Sequence, residues 1–573
     1  MLKSSILNVI AYQTYLKSSW RPYWSLFLLI IPIVLFIALK IFQNDIAAHF
    51  SLGSATHGSA YYADFIQLAA GEVLWLGFFF LVTWILMIYP SNATLQNIFN
   101  IGVKPINGHF VIIILFVFLI ATLLISLATL GHFPNSSDEY AYLFQAEMFS
   151  KGRLWEPAHD LPGFFYFDGI AQHDGILVSL FPPGWPLFLS AAFETGMPPY
   201  MVNPLLSVLT LIVFYFFARK LYGEKVAVWS LFALAFTGFF IFNSASYFSH
   251  ISSLLVTLLF VCSLYLYHEK KSIVFGLLAG FFLGFVAVIR SYNALLIFVP
   301  FLFYIVYQYR IRSIYVFLLL AIGSLPCIFF LLSYNYSITG DAFWPVTSWA
   351  HPEEKLGFVN GYTFLQGVGH IIHWILLFFY WCSPGLLILY IVFMVRKMKS
   401  RAERFVQPED YMLVALMIGY FFYYQVGGDQ YGPRFLFEGL PFLIVFVIRK
   451  VLHMRERWAV ALLVTSLLYA VVKFPFISIR EGRIADERRD LYDLVDKEKI
   501  SNAVILVSAS TSPTRPLAAN SLTRNDRKFQ NDVIYALELP NIAGKLMDYY
   551  GDRSFYKYVR DADRPQGELI RIR

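Results

Sequence analysis

Residues 109–142 read HFVIIILFVFLIATLLISLATLGHFPNSSDEYAY: an apolar run from His109 to Gly131, followed at once by the adjacent carboxylates Asp138 and Glu139. Crossing a hydrocarbon core of about 30 Å takes roughly 20 helical residues, so this stretch predicts a transmembrane helix that delivers two acids to the membrane boundary. The rest of the chain is made of the same material. Of its 573 residues, 58% are hydrophobic and 14% charged, with a mean hydropathy of +0.60. Soluble domains carry about 25% charged residues, which excludes an ordinary soluble enzyme. The 58 Phe, 37 Tyr and 12 Trp suit buried packing and membrane-interface belts.

Further runs at 23–42, 73–89, 201–218, 226–243, 248–267, 272–290, 293–308, 313–333, 371–394, 411–425, 435–449 and 457–475 bring the count to about thirteen. The expected fold class is an α-helical polytopic membrane protein with large outer loops and a small C-terminal α/β domain. The first run follows Arg21-Pro22, is too long for a secretory signal and lacks a small-residue cleavage site, so it reads as a retained helix. Cys262, Cys327 and Cys382 lie inside apolar runs and read as small buried hydrophobes.

A net charge of +7 would suit a nucleic-acid partner. With the N-terminus placed in the cytoplasm, however, the inner loops hold twenty Lys and Arg, and the outer connections only Lys151, Arg153, Arg290, Lys355 and Arg434. That is the positive-inside pattern, so no nucleic-acid partner is expected. An odd number of spans puts the residues after about 480 outside. Three units follow: 1–108, an extension with two spans; 109–479, the transmembrane core with outer loop 132–200; and 480–573, a soluble outer-face domain. This last unit has 32 charged residues in 94, against 49 in the preceding 479, and carries strand-like segments at 503–507, 532–537, 554–559 and 568–572 with a short helix near 542–550.

Outer segments 43–72, 132–200 and 334–370 are long enough to be functional. The second opens Asn135-Ser136-Ser137-Asp138-Glu139-Tyr140. It continues as an amphipathic stretch through Phe149 suited to a helix in the interface plane, carries the turn signals Asp168-Gly169 and Asp174-Gly175, and closes with Phe181-Pro182-Pro183-Gly184-Trp185-Pro186. Ser136-x-x-Glu139 fits a capping box. Equally, a carboxylate here suits general-base work on a hydroxyl. Arg290 ends an apolar run and Arg434 opens one, both where the charge bias disfavours a cation; each is a functional candidate matched to phosphate oxygens, with headgroup snorkelling the plainer reading of Arg290. His250 suits interface packing or a donor or acceptor contact, and Asp168, His173 and Asp174 suit turns or the same contacts. His370-x-x-His373 has metal-compatible spacing without a third ligand, so the expectation is metal independence and no cofactor.

The Ser-Asp-Glu-Tyr-Ala-Tyr opening of the loop, its helix, the Phe-Pro-Pro-Gly-Trp-Pro return, the alternating spans and the soluble tail together resemble the GT-C glycosyltransferases. Within them the likeness is to dolichyl-phosphate-mannose protein mannosyltransferases and bacterial lipid A aminoarabinose transferases, over roughly 109–570, with Ala287–Asn293 and Tyr431–Leu436 in support. The resemblance implies a sugar donor on a polyprenyl phosphate and inversion at the anomeric carbon. It also implies the first-loop acid as catalytic base, which is Asp138 with Glu139 as neighbour. Arg434 and Arg290 would then hold the donor phosphate, and the acceptor would be a lipid, glycan or protein at a membrane such as the bacterial inner membrane. The aminoarabinose transferases have a lysine before their Pro-Pro where this chain has Leu180-Phe181, and the β-trefoil repeat of eukaryotic protein mannosyltransferases is missing. A transporter or flippase, or a polysaccharide polymerase or ligase, are the alternative readings; transporters usually betray internal repeats, and none is evident.

Overall fold

The computed structural model describes residues 21–41, 59–88, 108–352, 356–359, 362–400, 406–424, 430–454, 456–508, 519–539, 542–560 and 566–573. Among these, seven helices are long and apolar enough to cross a membrane, or eight if the bent pair Glu224–Ala235 and Gly238–Ala245, inclined at 63°, is one span. Several of the remaining apolar runs form shorter helices that 3-10 turns extend: Pro408–Tyr411 leads into Met412–Phe421, and Arg434–Gly439 into Leu440–Met454. Segment 43–58 of the first long loop lies outside the described residues.

Local chemistry explains where the elements depart from the hydropathy pattern. The run 371–394 is two helices, Phe364–Trp381 and Pro384–Lys399, because Ser383 is extended and caps the second by accepting from Gly385 N, with Pro384 at its first position. The run 457–475 is the start of one 42-residue helix, Arg457–Glu498. Hydropathy falls after residue 476, but ion pairs one turn apart, such as Arg489 with Asp486 and Asp493, suit the helix in water. At about 63 Å it carries the chain from the bundle into the tail, so residue 480 falls inside a single helix.

In the tail, β4 (Ala503–Val507) pairs in parallel with β5 (Val533–Leu537) on one side and β6 (Ser554–Val559) on the other, and β7 (Glu568–Arg571) adds antiparallel to β6. One face of this sheet packs on Leu491 and Val495 of the long helix, and the other shares its core with the loop. Phe164 and Phe165 of the 132–200 loop are buried among Val504, Leu506, Ile534, Leu546 and Phe555. The loop has its own sheet, with β3 (Ile176–Ser179) between β1 (Glu156–Pro157) and β2 (Ile170–His173). The loop helix Ser137–Ser150 is covered on two sides. Tyr142 and Ala146 join the core of the helical bundle, while Ala141, Phe144 and Met148 pack on Phe167, Ile170 and Leu177 of the loop. It is therefore sandwiched between protein layers, so the apolar residues of its amphipathic pattern are buried against protein on both sides.

The helix Ser59–Ile88 docks on the long helix through a buried ion pair: Lys473 Nζ lies 2.5 Å from Glu72 Oε2, and Tyr469 donates to the same carboxylate at 3.1 Å. Both charged groups are about 2% exposed. Removing one partner of a buried pair typically costs about 3–5 kcal/mol, because the other charge is stranded. Glu72→Ala is expected to lower the unfolding midpoint in detergent, and Glu72→Leu combined with Lys473→Met to recover most of that loss; equal damage in both would refute the pair's role.

Candidate active site

The helix His109–Leu124 ends in a π-helical turn, Ile125–Thr129, and the chain then reverses through Gly131 and His132, both at positive φ. Asn135, 1% exposed, fixes the reversal by donating to Leu130 O and Phe133 O. Ser136 caps the loop helix by accepting from Glu139 N at 3.1 Å. The reciprocal half of the capping box is replaced: Glu139 accepts from the Ser136 hydroxyl at 3.3 Å and from Tyr247 N at 2.9 Å. Glu139 thus points into the bundle, fully buried, while Asp138 in the same turn faces a cavity. The two acids, expected to act as catalytic neighbours, thus face different surroundings, Glu139 the bundle interior and Asp138 the cavity.

Burial pushes the Glu139 carboxyl up to about 7, against the opposing pull of the Tyr247 amide and the Arg434 and Arg488 charges. A carboxyl raised on folding stabilises fully below its unfolded value near 4.5, and that contribution is lost as pH rises towards about 7, amounting to roughly 3 kcal/mol. Glu139→Gln is therefore expected to flatten the dependence of the unfolding midpoint on pH between 4.5 and 7, and to gain on the native protein above pH 7. An unchanged pH profile would contradict this.

The cavity, about 470 Å³, is lined by Asp138, Tyr142, Asp168, His250, Arg290, Tyr292, His351, Tyr420 and Arg434, among others. Arg434 follows a turn in which Tyr431 and Gly432 take positive φ; a Cβ on Gly432 would come within 2.4 Å of the Phe239 ring. Emerging there, the Arg434 guanidinium stacks 3.8 Å over the Phe248 ring, and its Nη1 donates to Asp138 Oδ2 at 3.1 Å. Its Nε is buried with no hydrogen-bond partner.

Arg290 sits at the break between helices Ile273–Ile289 and Ser291–Tyr309. Gly184 of the Phe-Pro-Pro-Gly-Trp-Pro stretch lets the helix Gly184–Thr195 press on that break, since a Cβ there would meet Val288 O at 2.8 Å. Arg290 Nη1 donates to Ser249 Oγ at 3.4 Å, and Nε lies 3.7 Å from Glu438 Oε1, a fully buried carboxylate. Tyr142 shares Ser249, hydroxyl to hydroxyl at 3.3 Å.

Asp168 accepts from Ser137 Oγ at 3.2 Å beside the first turn of the loop helix. Its side chain keeps contact with solvent, but the surrounding protein and then the Asp138 charge raise its carboxyl above the usual range. His250 is 1% exposed at the cavity wall, its ring among Phe248 and Phe437. Asp174 does not reach the cavity. With Gly175 it forms the two-residue turn joining β2 to β3, both at positive φ, which is turn chemistry. The backbone of His173 ends β2, and its side chain lies outside the described residues. His370 Nδ1 lies 3.2 Å from Tyr362 OH, away from the cavity, and Glu353 and Glu354 lie outside the described residues.

The tail clamps the loop helix that carries Asp138. Tyr140 OH donates to Asn525 O at 2.5 Å, Arg524 lies over the Tyr140 ring, and Arg527 pairs with Glu147 and Glu156. Sequence reading missed Tyr142, Ser249, Tyr420 and Glu438. Only Glu438 left a signal, as a lone acid inside an apolar run.

No family model matches the chain, and no curated protein matches it by sequence. Solved structures do match. ArnT from Cupriavidus metallidurans in the apo state aligns with a TM-score of 0.50 at 10% identity, over 81% of this chain and 98% of that one. The same protein bound to undecaprenyl phosphate gives 0.49 at 11% identity over the same shares. The oligosaccharyltransferase AglB from Archaeoglobus fulgidus, in complex with an inhibitory peptide and a dolichol-phosphate, gives 0.44 at 11%, over 78% and 69%. At these identities the likeness is one of fold alone, and this chain shares the fold of ArnT.

Proposed function

We propose that the chain is an integral membrane glycosyltransferase that moves a sugar from a polyprenyl-phosphate carrier to an acceptor hydroxyl with inversion. The reaction takes place on the face opposite its basic loops. One observation carries this reading: a carboxylate, Asp138, and two arginines, Arg434 and Arg290, converge on one cavity at the end of the bundle where the spans give way to the loop. A polyprenyl phosphate must present its phosphate at the bilayer surface with its tail in hydrocarbon, which suits a cavity at the end of the helical bundle.

Asp138 takes the proton from the acceptor hydroxyl, general-base help of about 10²–10⁴-fold. Arg434 and Arg290 stabilise the negative charge that grows on the departing phosphate. Asp168 and His250 contact the sugar or acceptor. The guanidinium groups supply the positive charge at the phosphate, so the reading includes metal independence, and EDTA is expected to leave turnover intact.

The test is to incubate membranes containing the protein with radiolabelled undecaprenyl-phosphate monosaccharides and, separately, with pyrophosphate-linked oligosaccharides. Release of undecaprenyl phosphate with the sugar passing to an acceptor supports the proposal. Preferred use of the pyrophosphate-linked donor would make the protein a polymerase or ligase, and movement of lipid across the bilayer without bond cleavage would make it a carrier; either result overturns it.

A further inference from the structure

We infer that Arg434 changes partner during turnover, passing from Asp138 to the leaving phosphate, and so couples proton removal from the acceptor to departure of the lipid carrier. The inference rests on the roles proposed above for Asp138 and the donor phosphate. The two cavity arginines are held differently. Arg290 faces Glu438 across 3.7 Å and donates to Ser249 at 3.4 Å, and Glu438 is fully buried, so the acid beside Arg290 is shut off from the cavity. Arg434 is paired with Asp138, whose side chain is 31% exposed at the cavity. Only one Arg434 amino group makes that contact, and its buried Nε, like that of Arg290, has no acceptor. The Phe248 ring carries the guanidinium from one face, leaving the donors in its plane available to a new oxygen partner.

Charge conservation in the reaction gives this arrangement its use. The acceptor oxygen bonds to the anomeric carbon, and its proton passes to Asp138. The bond from that carbon to the phosphate oxygen breaks, and its electron pair stays on the phosphate. Asp138 therefore goes from −1 to 0 as the phosphate goes from a singly charged diester towards a doubly charged monoester. The negative charge leaves one partner of Arg434 and arrives beside it on the other, so its attraction to the phosphate is strongest in the transition state and product. When Asp138 next loses its proton, it draws Arg434 back and loosens the spent carrier.

The probe is undecaprenyl phosphate, and its affinity is measured for the full-length protein in lipid nanodiscs. Asp138→Asn mimics the protonated acid and is expected to tighten binding by about tenfold, a coupling within the range of close charge pairs. In an Arg434→Gln background the same change is expected to have no effect, whereas in Arg434→Lys, which keeps the charge, part of the tightening persists. An unchanged affinity in Asp138→Asn overturns the exchange, as does equal tightening with and without Arg434, which would be simple repulsion between carboxylate and phosphate; both leave the proposed reaction standing. Failure of the native protein to bind undecaprenyl phosphate at all would instead overturn the donor assignment.

Discussion

Asp138→Asn is expected to lower turnover at saturating donor by about 10²–10⁴-fold without unfolding the protein. The replacement is nearly isosteric, and the Ser136 cap to Glu139 N does not involve it, so the loop helix keeps its start. What is lost is the charge and the ability to take a proton. Glu139 cannot substitute for it, being committed to Tyr247 N and shut out of the cavity, and Asp168 lines the cavity with its carboxylate accepting from Ser137. Single-turnover transfer from a radiolabelled donor measures the effect directly. Turnover within a few-fold of native would remove Asp138 from the reaction and turn attention to Asp168, whose own replacement by Asn is expected to cost less.

The second large effect is that of Arg434→Gln, expected to reduce kcat/KM by about 10²–10³-fold, the range seen when one preorganised donor to a developing anion is lost. The contrast with Arg290 is informative. Arg290→Gln removes the cation facing the fully buried Glu438, and a buried acid left without a counter-charge is destabilising, so a lower unfolding midpoint is expected beside any loss of rate. Arg434 leaves behind Asp138, which water reaches, so its loss is expressed as slow catalysis in a folded protein. Measuring midpoints beside rates separates the two. A destabilised Arg434→Gln with normal kcat per folded molecule would refute its assignment to the phosphate.

Much of the fold was legible because a membrane imposes its own arithmetic. Long apolar runs stood out, and the few charges outside the basic loops drew attention to Asp138, Glu139, Arg290 and Arg434. Their mutual geometry was not legible. Asp138 and Arg434 are 296 residues apart and meet only through a positive-φ turn at Tyr431-Gly432. Adjacent positions in sequence misled in the opposite sense: Asp138 and Glu139 leave one helical turn in different directions, one to the cavity and one to the core. Glu438 was passed over because a single acid in an apolar run was absorbed into the span. The last helix was cut short because hydropathy reports the solvent around a helix and says nothing of its end. The core shared by the loop and tail was invisible because Phe164, Phe165 and Leu506 are brought together only by tertiary folding.

The unbroken helix Arg457–Glu498 also sets a rule for altering this protein. A helix turns about 100° and rises 1.5 Å per residue, so inserting one residue between its last membrane turn and Glu498 would swing Asn525 away from Tyr140 as if a screw had been advanced. Seven or eleven extra residues nearly restore the angular phase but displace the tail by about 10 or 16 Å along the axis. No insertion preserves both angle and height, so a chimaera of this tail keeps its contact with the loop helix only at one fixed length of shaft, however freely the exposed side chains are exchanged.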